Sequence, residues 1–256
     1  MDFERDLAIA HEVASAASRI AMAFFATGVN ATRKADGSPV TEADLAVEQL
    51  LRSEYGRRLP EDALLGEEFG EVGSSSRVWI LDPIDGTAFF ARSDPNWRIH
   101  LALQVEGRIQ VAVVAAPALN LRWWAIRGGG AFEARWIDGP TAAQRLHVTK
   151  DETSVRTRIA CLPESLSARL PVDCVGLNLN ALPLIDLVRG EIDAVVAEGF
   201  EIWDHAPWTL LVEEAGGRFT DRTGGSSPAH RGGVYSNVRL HDELVHALRY
   251  RESNHL

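Results

Sequence analysis

The chain has 256 residues, 46% hydrophobic and 24% charged, enough to bury a core without a disulfide or structural metal. A net charge of −10 with no basic stripe disfavours non-specific nucleic-acid binding, which runs on phosphate neutralisation, and no nucleic-acid partner is expected. No apolar run is long enough to span a bilayer, and the acidic start MDFERDLAIAHEV is not a signal peptide, so no membrane partner and a cytoplasmic location are expected.

Leu7, Ala10, Val13, Ala14, Ala17, Ile20, Ala21 and Phe24 fall on one helical face and predict a first helix over residues 4–26. NATRKADGSPV reads as a polar turn, and TEADLAVEQLLRSEY as a second helix opened by Thr41. ALLGEEFG is a short strand, VGSSS a loop and RVWILD a strand, with a helix expected after Gly86. RIHLALQVEG and QVAVVAAPA are neighbouring strands joined at Glu106-Gly107, and RWWAIRGGGAF is a strand followed by a glycine turn.

In the second half TRIACL, DCVGL and EIDAVVA read as short buried strands. ALPLIDLVRG is a helix stopped by Gly190, DHAPWTLLVEEAGG a helix closed by Gly216-Gly217, RTGGSSPAHRGG a surface loop and HDELVHALRY the last helix. Cys161 and Cys174 have neither C-x-x-C spacing nor a partner histidine and read as inert buried thiols. Alternating helices and strands predict a layered α/β or α+β fold. A boundary near residues 138–149 separates an N-terminal α+β part, 1–140, from a C-terminal α/β part, 141–256.

The chemistry lies in carboxylates at strand ends and helix starts: Glu67 and Glu68 in GEEFG, Asp82 and Asp85 in DPIDGT, Asp204 in WDHAPW, and Asp44 beside Thr41. Each has a plain structural reading. Thr41-x-x-Asp44 fits a capping box, Asp204 with Pro207 behind it fits an N-cap, Asp85-Gly86 fits a turn, and Glu67-Glu68 fits a solvated strand end. Capping does not explain why Asp82 ends an apolar strand. Clustered carboxylates repel unless protonated or bridged by a cation. Oxygen-only donors suit Mg2+.

Taken in order, Glu67-Glu68, Asp82-Pro83-Ile84-Asp85-Gly86-Thr87 and Trp203-Asp204 followed by Glu213-Glu214-Ala215-Gly216-Gly217 resemble the inositol monophosphatase superfamily over nearly the whole chain. PVTEADLAVE is similar to that family's N-terminal motif. The resemblance implies an αβαβα sandwich, commonly dimeric, and an Mg2+-dependent, lithium-sensitive phosphatase acting on a small phosphorylated metabolite. It implies two or three Mg2+ ions. Glu67, Asp82 and the Ile84 carbonyl would hold the first, Asp82, Asp85 and Asp204 the second, and Glu68 would support a third. Asp44 and Thr87, with Glu67, would be catalytic, the Asp44–Thr87 pair orienting or deprotonating the attacking water. Gly86 and Thr87 would bind the phosphate, and phosphorus would be attacked directly by metal-activated water.

Pro95, Trp97, Trp123, Trp124 and Gly128 to Gly130 are similar to the histidinol-phosphate phosphatase branch, and Glu201 is a candidate contact for a cationic amine. The tryptophans also read as core or dimer packing. Phe89 departs from the family's usual Asn, and Arg98 and His100 stand where less polar neighbours are expected. Inositol 1-phosphate and other sugar or polyol phosphates are the alternative substrates. The rivals are a haloacid-dehalogenase-type phosphatase, disfavoured by the extra residue in Asp82-x-x-Asp85, and an inactive phosphate-binding relative.

Overall fold

The structure is a computed structural model that describes residues 2–35, 37–135, 142–150, 157–170, 174–176 and 183–252. The chain divides into two units: Met1–Arg127 with Phe132–Gln144, and Gly128–Ala131 with Arg145–Leu256. Among the described residues no helix is long and apolar enough to cross a membrane.

The first unit is built from helix α1 (Phe3–Thr27), the two-residue strands β1 (Thr32–Arg33) and β2 (Pro39–Val40), and helix α2 (Glu42–Arg58). Strands β3 (Ala63–Gly66), β4 (Gly70–Val72) and β5 (Arg77–Asp85) follow, then the one-turn helix α3 (Thr87–Phe90). Strands β6 (Arg98–Val105), β7 (Arg108–Ala116), β8 (Leu121–Ile126), β9 (Gly130–Arg135) and β10 (Gln144–Arg145) complete an eight-stranded sheet ordered β10-β9-β8-β7-β6-β5-β3-β4. The alanine-rich face of α1 (Ala10, Ala14, Ala17, Ala21) is fully buried, and α1 packs on both α2 and β7. Small side chains there let the helices approach each other and the sheet closely.

Within that sheet β5 runs parallel to β3 and antiparallel to β6. Its Trp79, Ile80 and Leu81 are essentially inaccessible, as a strand read as a continuous apolar run should be. Tyr55 of α2 stacks on Trp79 at 4.4 Å, and the Trp79 indole N–H donates to Asp62 at 3.0 Å.

The second unit contains β11 (Thr157–Leu162), β12 (Cys174–Gly176), α4 (Pro183–Val188), β13 (Ala194–Glu198), α5 (Ile202–Glu214), β14 (Gly217–Thr220), β15 (Gly232–Asn237) and α6 (Val238–Glu252). Its five-stranded mixed sheet is ordered β12-β11-β13-β15-β14. The expected EIDAVVA strand starts at Ala194, two strands (β14 and β15) appear where none was expected, and residues 181–182 of the ALPLIDLVRG helix lie outside the described residues. Gly232 and Gly233, assigned to the surface loop by sequence, are strand residues paired with Glu198 and Ala197. Cys161 is half-buried, and the Cys174 side chain lies outside the described residues.

Candidate metal and phosphate centre

Asp82 and Asp85 are three residues apart, an odd spacing that would put them on opposite faces of a regular strand. The β5–β6 register corrects this. Asp82 pairs with His100 and Asp85 with Arg98, so three residues of β5 span two of β6. This bulge turns both acids to one face. Their carboxylate oxygens lie within 4.8 Å of each other. Two full charges so placed repel by about 3 kcal/mol at an effective dielectric of 20, so the pair needs cations.

Glu67 reaches the same end of the sheet through parallel pairing. Gly66 faces Leu81, and the Glu67 N–H continues the ladder to the Leu81 carbonyl at 3.2 Å. Burial raises the Glu67 pKa, hydrogen bonding to Lys34 lowers it, and the charges of Asp44 and Asp85 push it up again. Burial, opposed by Lys34 and reinforced by the Glu67 charge, raises the Glu68 carboxyl to about 7.

Sequence reasoning missed Lys34 and Glu48 here. The Lys34 Nζ lies 2.7 Å from both Glu67 Oε1 and Glu68 Oε1. Burial opposes its charge, but the bonds to the two glutamates outweigh this and raise its pKa. Glu48, buried on α2, accepts the backbone N–H of Glu68 at 2.7 Å and of Phe69 at 3.2 Å, and pairs with Arg52 at 2.8 Å. A side chain at Gly66 would meet Glu48 Oε1 at 2.1 Å, which is why the residue before the two glutamates is glycine. Arg98 lies against Asp85 Oδ2 at 3.0 Å, with His100 at 3.6 Å from the same oxygen. Only the Arg98 and His100 anomaly, two polar residues at i and i+2 in an apolar strand, was visible beforehand.

Thr41 is the N-cap of α2, in the capping box expected from sequence, and Asp44 Oδ2 accepts its N–H at 2.8 Å and its hydroxyl at 2.5 Å. Asp44 has a second partner. The Thr87 hydroxyl donates to Asp44 Oδ1 at 3.0 Å and also lies 3.1 Å from the Ile84 carbonyl. Burial raises the Asp44 pKa against these hydrogen bonds. Capping and a role at the DPIDGT turn are therefore compatible, since each uses a different oxygen.

Gly86 adopts φ +87°, where a side chain would also crowd the Asn96 carbonyl at 3.1 Å. The helix expected after it is a single turn. Phe89, in place of asparagine, leaves the loop held by its backbone, with Phe89 N–H to Gly86 O at 2.8 Å and Asp94 N–H to Phe89 O at 3.0 Å. The Arg92 guanidinium covers the Phe89 ring at 4.9 Å.

In the second unit Asp204 is not the N-cap expected from sequence. Glu201 caps α5, and Asp204 is the third helical residue, accepting the Glu201 N–H at 2.7 Å. The helix starts earlier because Glu201 and Asp204 form a reciprocal capping box. Burial and then the Asp204 charge push the Tyr235 phenol up, and its hydroxyl meets His205 Nδ1 at 2.6 Å. The Glu201 carboxylate pairs with Arg231 at 2.5 Å. Glu214 of the EAGG segment accepts the N–H groups of Gly128 and Gly130 at 2.7 and 2.8 Å, so that motif anchors the glycine turn.

The tryptophans resolve as core. Trp97 is fully buried against Phe25 and Phe90, Trp123 is fully buried, and Trp124 meets His11 edge-on and stacks on Phe132. The donor set in the first unit is oxygen-only: Glu67, Asp82, Asp85 and the Ile84 carbonyl, which keeps a lone pair beyond its Thr87 contact. It carries more acid than Lys34 and Arg98 neutralise. That chemistry fits a hard divalent cation.

The model of the inositol monophosphatase family matches residues 2–253. A Streptomyces griseus protein named glucose-1-phosphate thymidylyltransferase is 39% identical over 97% of this chain and 98% of its own. A Streptomyces coelicolor histidinol-phosphatase is 37% identical over 98% of this chain and 99% of its own. Among solved structures, a Thermotoga maritima IMPase superposes with a TM-score of 0.80 at 27% identity, covering 99% of each chain. With the α/β fold and the carboxylate-rich DPIDGT turn, these likenesses make the chain a member of the inositol monophosphatase family and a phosphatase.

Proposed function

We propose that the chain hydrolyses a small phosphate monoester in an Mg2+-dependent reaction, with histidinol phosphate the preferred substrate. The observation that carries the reading is the bulge that sets Asp82 and Asp85 on one face, next to the Asp44–Thr87 pair. From the family resemblance, Glu67, Asp82 and the Ile84 carbonyl would hold one cation, Asp82, Asp85 and Asp204 would hold a second, and Glu68 would support a weaker third. Bound Mg2+ would lower the pKa of a water and offset the charge of the phosphoryl group.

The protein's own groups do the rest. The Gly86 and Thr87 N–H groups bind phosphoryl oxygens. Thr87 Oγ1 takes a proton from the attacking water while its own proton passes to Asp44 Oδ1, whose basicity burial has raised. The water oxygen bonds to phosphorus as the ester oxygen leaves with the P–O bonding pair and takes up a proton from solvent, with no phospho-enzyme formed. The preference for histidinol phosphate is supported by the 37% identity to the Streptomyces coelicolor enzyme of that name. The Arg231 pairing of Glu201 means an incoming ammonium would have to share that carboxylate.

A phosphate-release screen with Mg2+ tests the reading, using histidinol phosphate, inositol 1-phosphate, glucose 1-phosphate and nucleoside monophosphates. Release from histidinol phosphate above all others is expected, abolished in Asp85→Asn and in Asp204→Asn while both variants stay folded. Faster release from a sugar or inositol phosphate overturns the substrate assignment. Undiminished activity in both variants overturns the metal assignment.

A further inference from the structure

Every acid of the DPIDGT bulge faces a basic residue across the β5–β6 ladder: Asp82 faces His100, and Asp85 faces Arg98. Residues 98 and 100 share one face of β6 because strand side chains alternate, and the bulge brings the two acids onto that same face. Arg98 is buried, with its Nε 3.0 Å from Asp85 Oδ2. A second guanidinium nitrogen donates to the Asn96 carbonyl at 3.2 Å, tying the side chain down. An arginine stays charged even when buried, so it cannot yield to another cation by losing a proton. Asp85 is half-buried and is the acid proposed above to hold the second divalent ion.

From this juxtaposition we propose that Arg98 is an internal competitor for the divalent cation at Asp85: a fixed positive charge that balances the acid pair in the metal-free protein and weakens binding of the ion that needs Asp85. The inference rests on the metal reading given above. Lys34 makes the contrast. It holds Glu67 and Glu68 with a long side chain from the turn of the short β1–β2 hairpin, whereas Arg98 springs from a strand inside the sheet. The ion that needs Asp85 is therefore the one that would meet a fixed competitor.

The test is Mn2+ binding to the metal-free full chain, followed by electron paramagnetic resonance and calorimetry. Arg98→Gln removes the charge and keeps a donor for the Asn96 carbonyl. The weaker of two Mn2+ sites is expected to tighten about tenfold in Arg98→Gln, and that gain is expected to vanish when Asp85→Asn is added. Equal Mn2+ affinities in wild type and Arg98→Gln overturn the proposal and leave the metal reading standing. No Mn2+ binding by any of the proteins overturns both. Should Arg98→Gln fail to fold, the wild-type protein with 15N-labelled arginine serves, its Arg98 Nε–H signal assigned by Arg98→Lys. Mg2+ is expected to move that signal, and a signal unchanged at saturating Mg2+ overturns the proposal.

Discussion

Glu48 Oε2 accepts the backbone N–H of Glu68 at 2.7 Å, so a buried carboxylate on α2 fixes the path of the strand-end segment that presents Glu67. The same carboxylate also holds the Phe69 N–H and the Arg52 guanidinium. It is a positioning group, since its oxygens are spent on the backbone and on arginine. Removing it leaves buried donors without partners and a cation without its anion, a loss of about 3–5 kcal/mol. Glu48→Ala is expected to lower the unfolding free energy measured in urea by that amount, and Glu48→Gln by less. A Glu48→Ala midpoint within error of wild type would show that the clamp is not needed.

Gly66 makes the complementary prediction. Its missing side chain is the space that Glu48 Oε1 occupies. Gly66→Ala must push the Glu48 carboxylate off the Glu68 and Phe69 N–H groups, and the change is expected to cost about 1–3 kcal/mol as an overpacked site. In the Glu48→Ala background the same alanine should cost much less, because the clash is gone. A double-mutant cycle by chemical unfolding measures the difference. Strict additivity of the two changes would contradict the contact.

The Asp44–Thr87 bond predicts that activity follows the hydroxyl rather than the side-chain volume. Thr87→Val keeps the shape and loses both the donor to Asp44 and the group proposed to relay the proton. Its kcat is expected to fall about 10²- to 10⁴-fold, the usual range for general base catalysis. Thr87→Ser should stay within about tenfold of wild type. Phosphate release at saturating substrate and Mg2+ measures both, and a Thr87→Val enzyme as fast as Thr87→Ser removes the hydroxyl from the mechanism.

The sequence showed those parts of the site whose partners are near in the chain. Thr41 and Asp44 are three residues apart, and their capping box was readable. The strands β6 and β7 were readable because an apolar run breaks at Glu106-Gly107. Lys34 and Glu67 are 33 residues apart, and Glu48 and Glu68 are 20 apart, so only tertiary pairing joins them. β15 was hidden because Gly232 and Gly233 look like loop residues, although the strand is buried along its whole length. Asp204 was misplaced by three positions within its helix because it closes the helix start from the third helical position, accepting the Glu201 N–H, and not from the cap itself.

A half-buried histidine, His11, and a buried one, His241, give the protein a defined acid sensitivity. Burial, with Arg122 nearby, lowers His11 to about 4. Burial, with Arg218 nearby and Asp242 opposing, lowers His241 to about 4, and His241 meets Thr220 Oγ1 at 2.9 Å and Ser236 Oγ at 2.8 Å. Both histidines titrate near 6.5 in the unfolded chain, so between pH 6.5 and 4 the unfolded state takes up protons that the folded state refuses. Their contribution is fully present above pH 6.5 and is lost as the pH falls toward 4. Glu68 has the opposite sign: its carboxyl is raised to about 7, so it favours the folded state as the pH falls from 7 toward 4.5. A raw stability curve mixes these slopes, and a difference curve separates them. Wild type and His241→Gln, unfolded in urea at intervals from pH 7.5 to 4, should differ most at pH 7.5 and converge as the pH falls, because the variant has no imidazole to protonate. Parallel curves would mean that His241 titrates alike in both states and is not buried as a neutral ring.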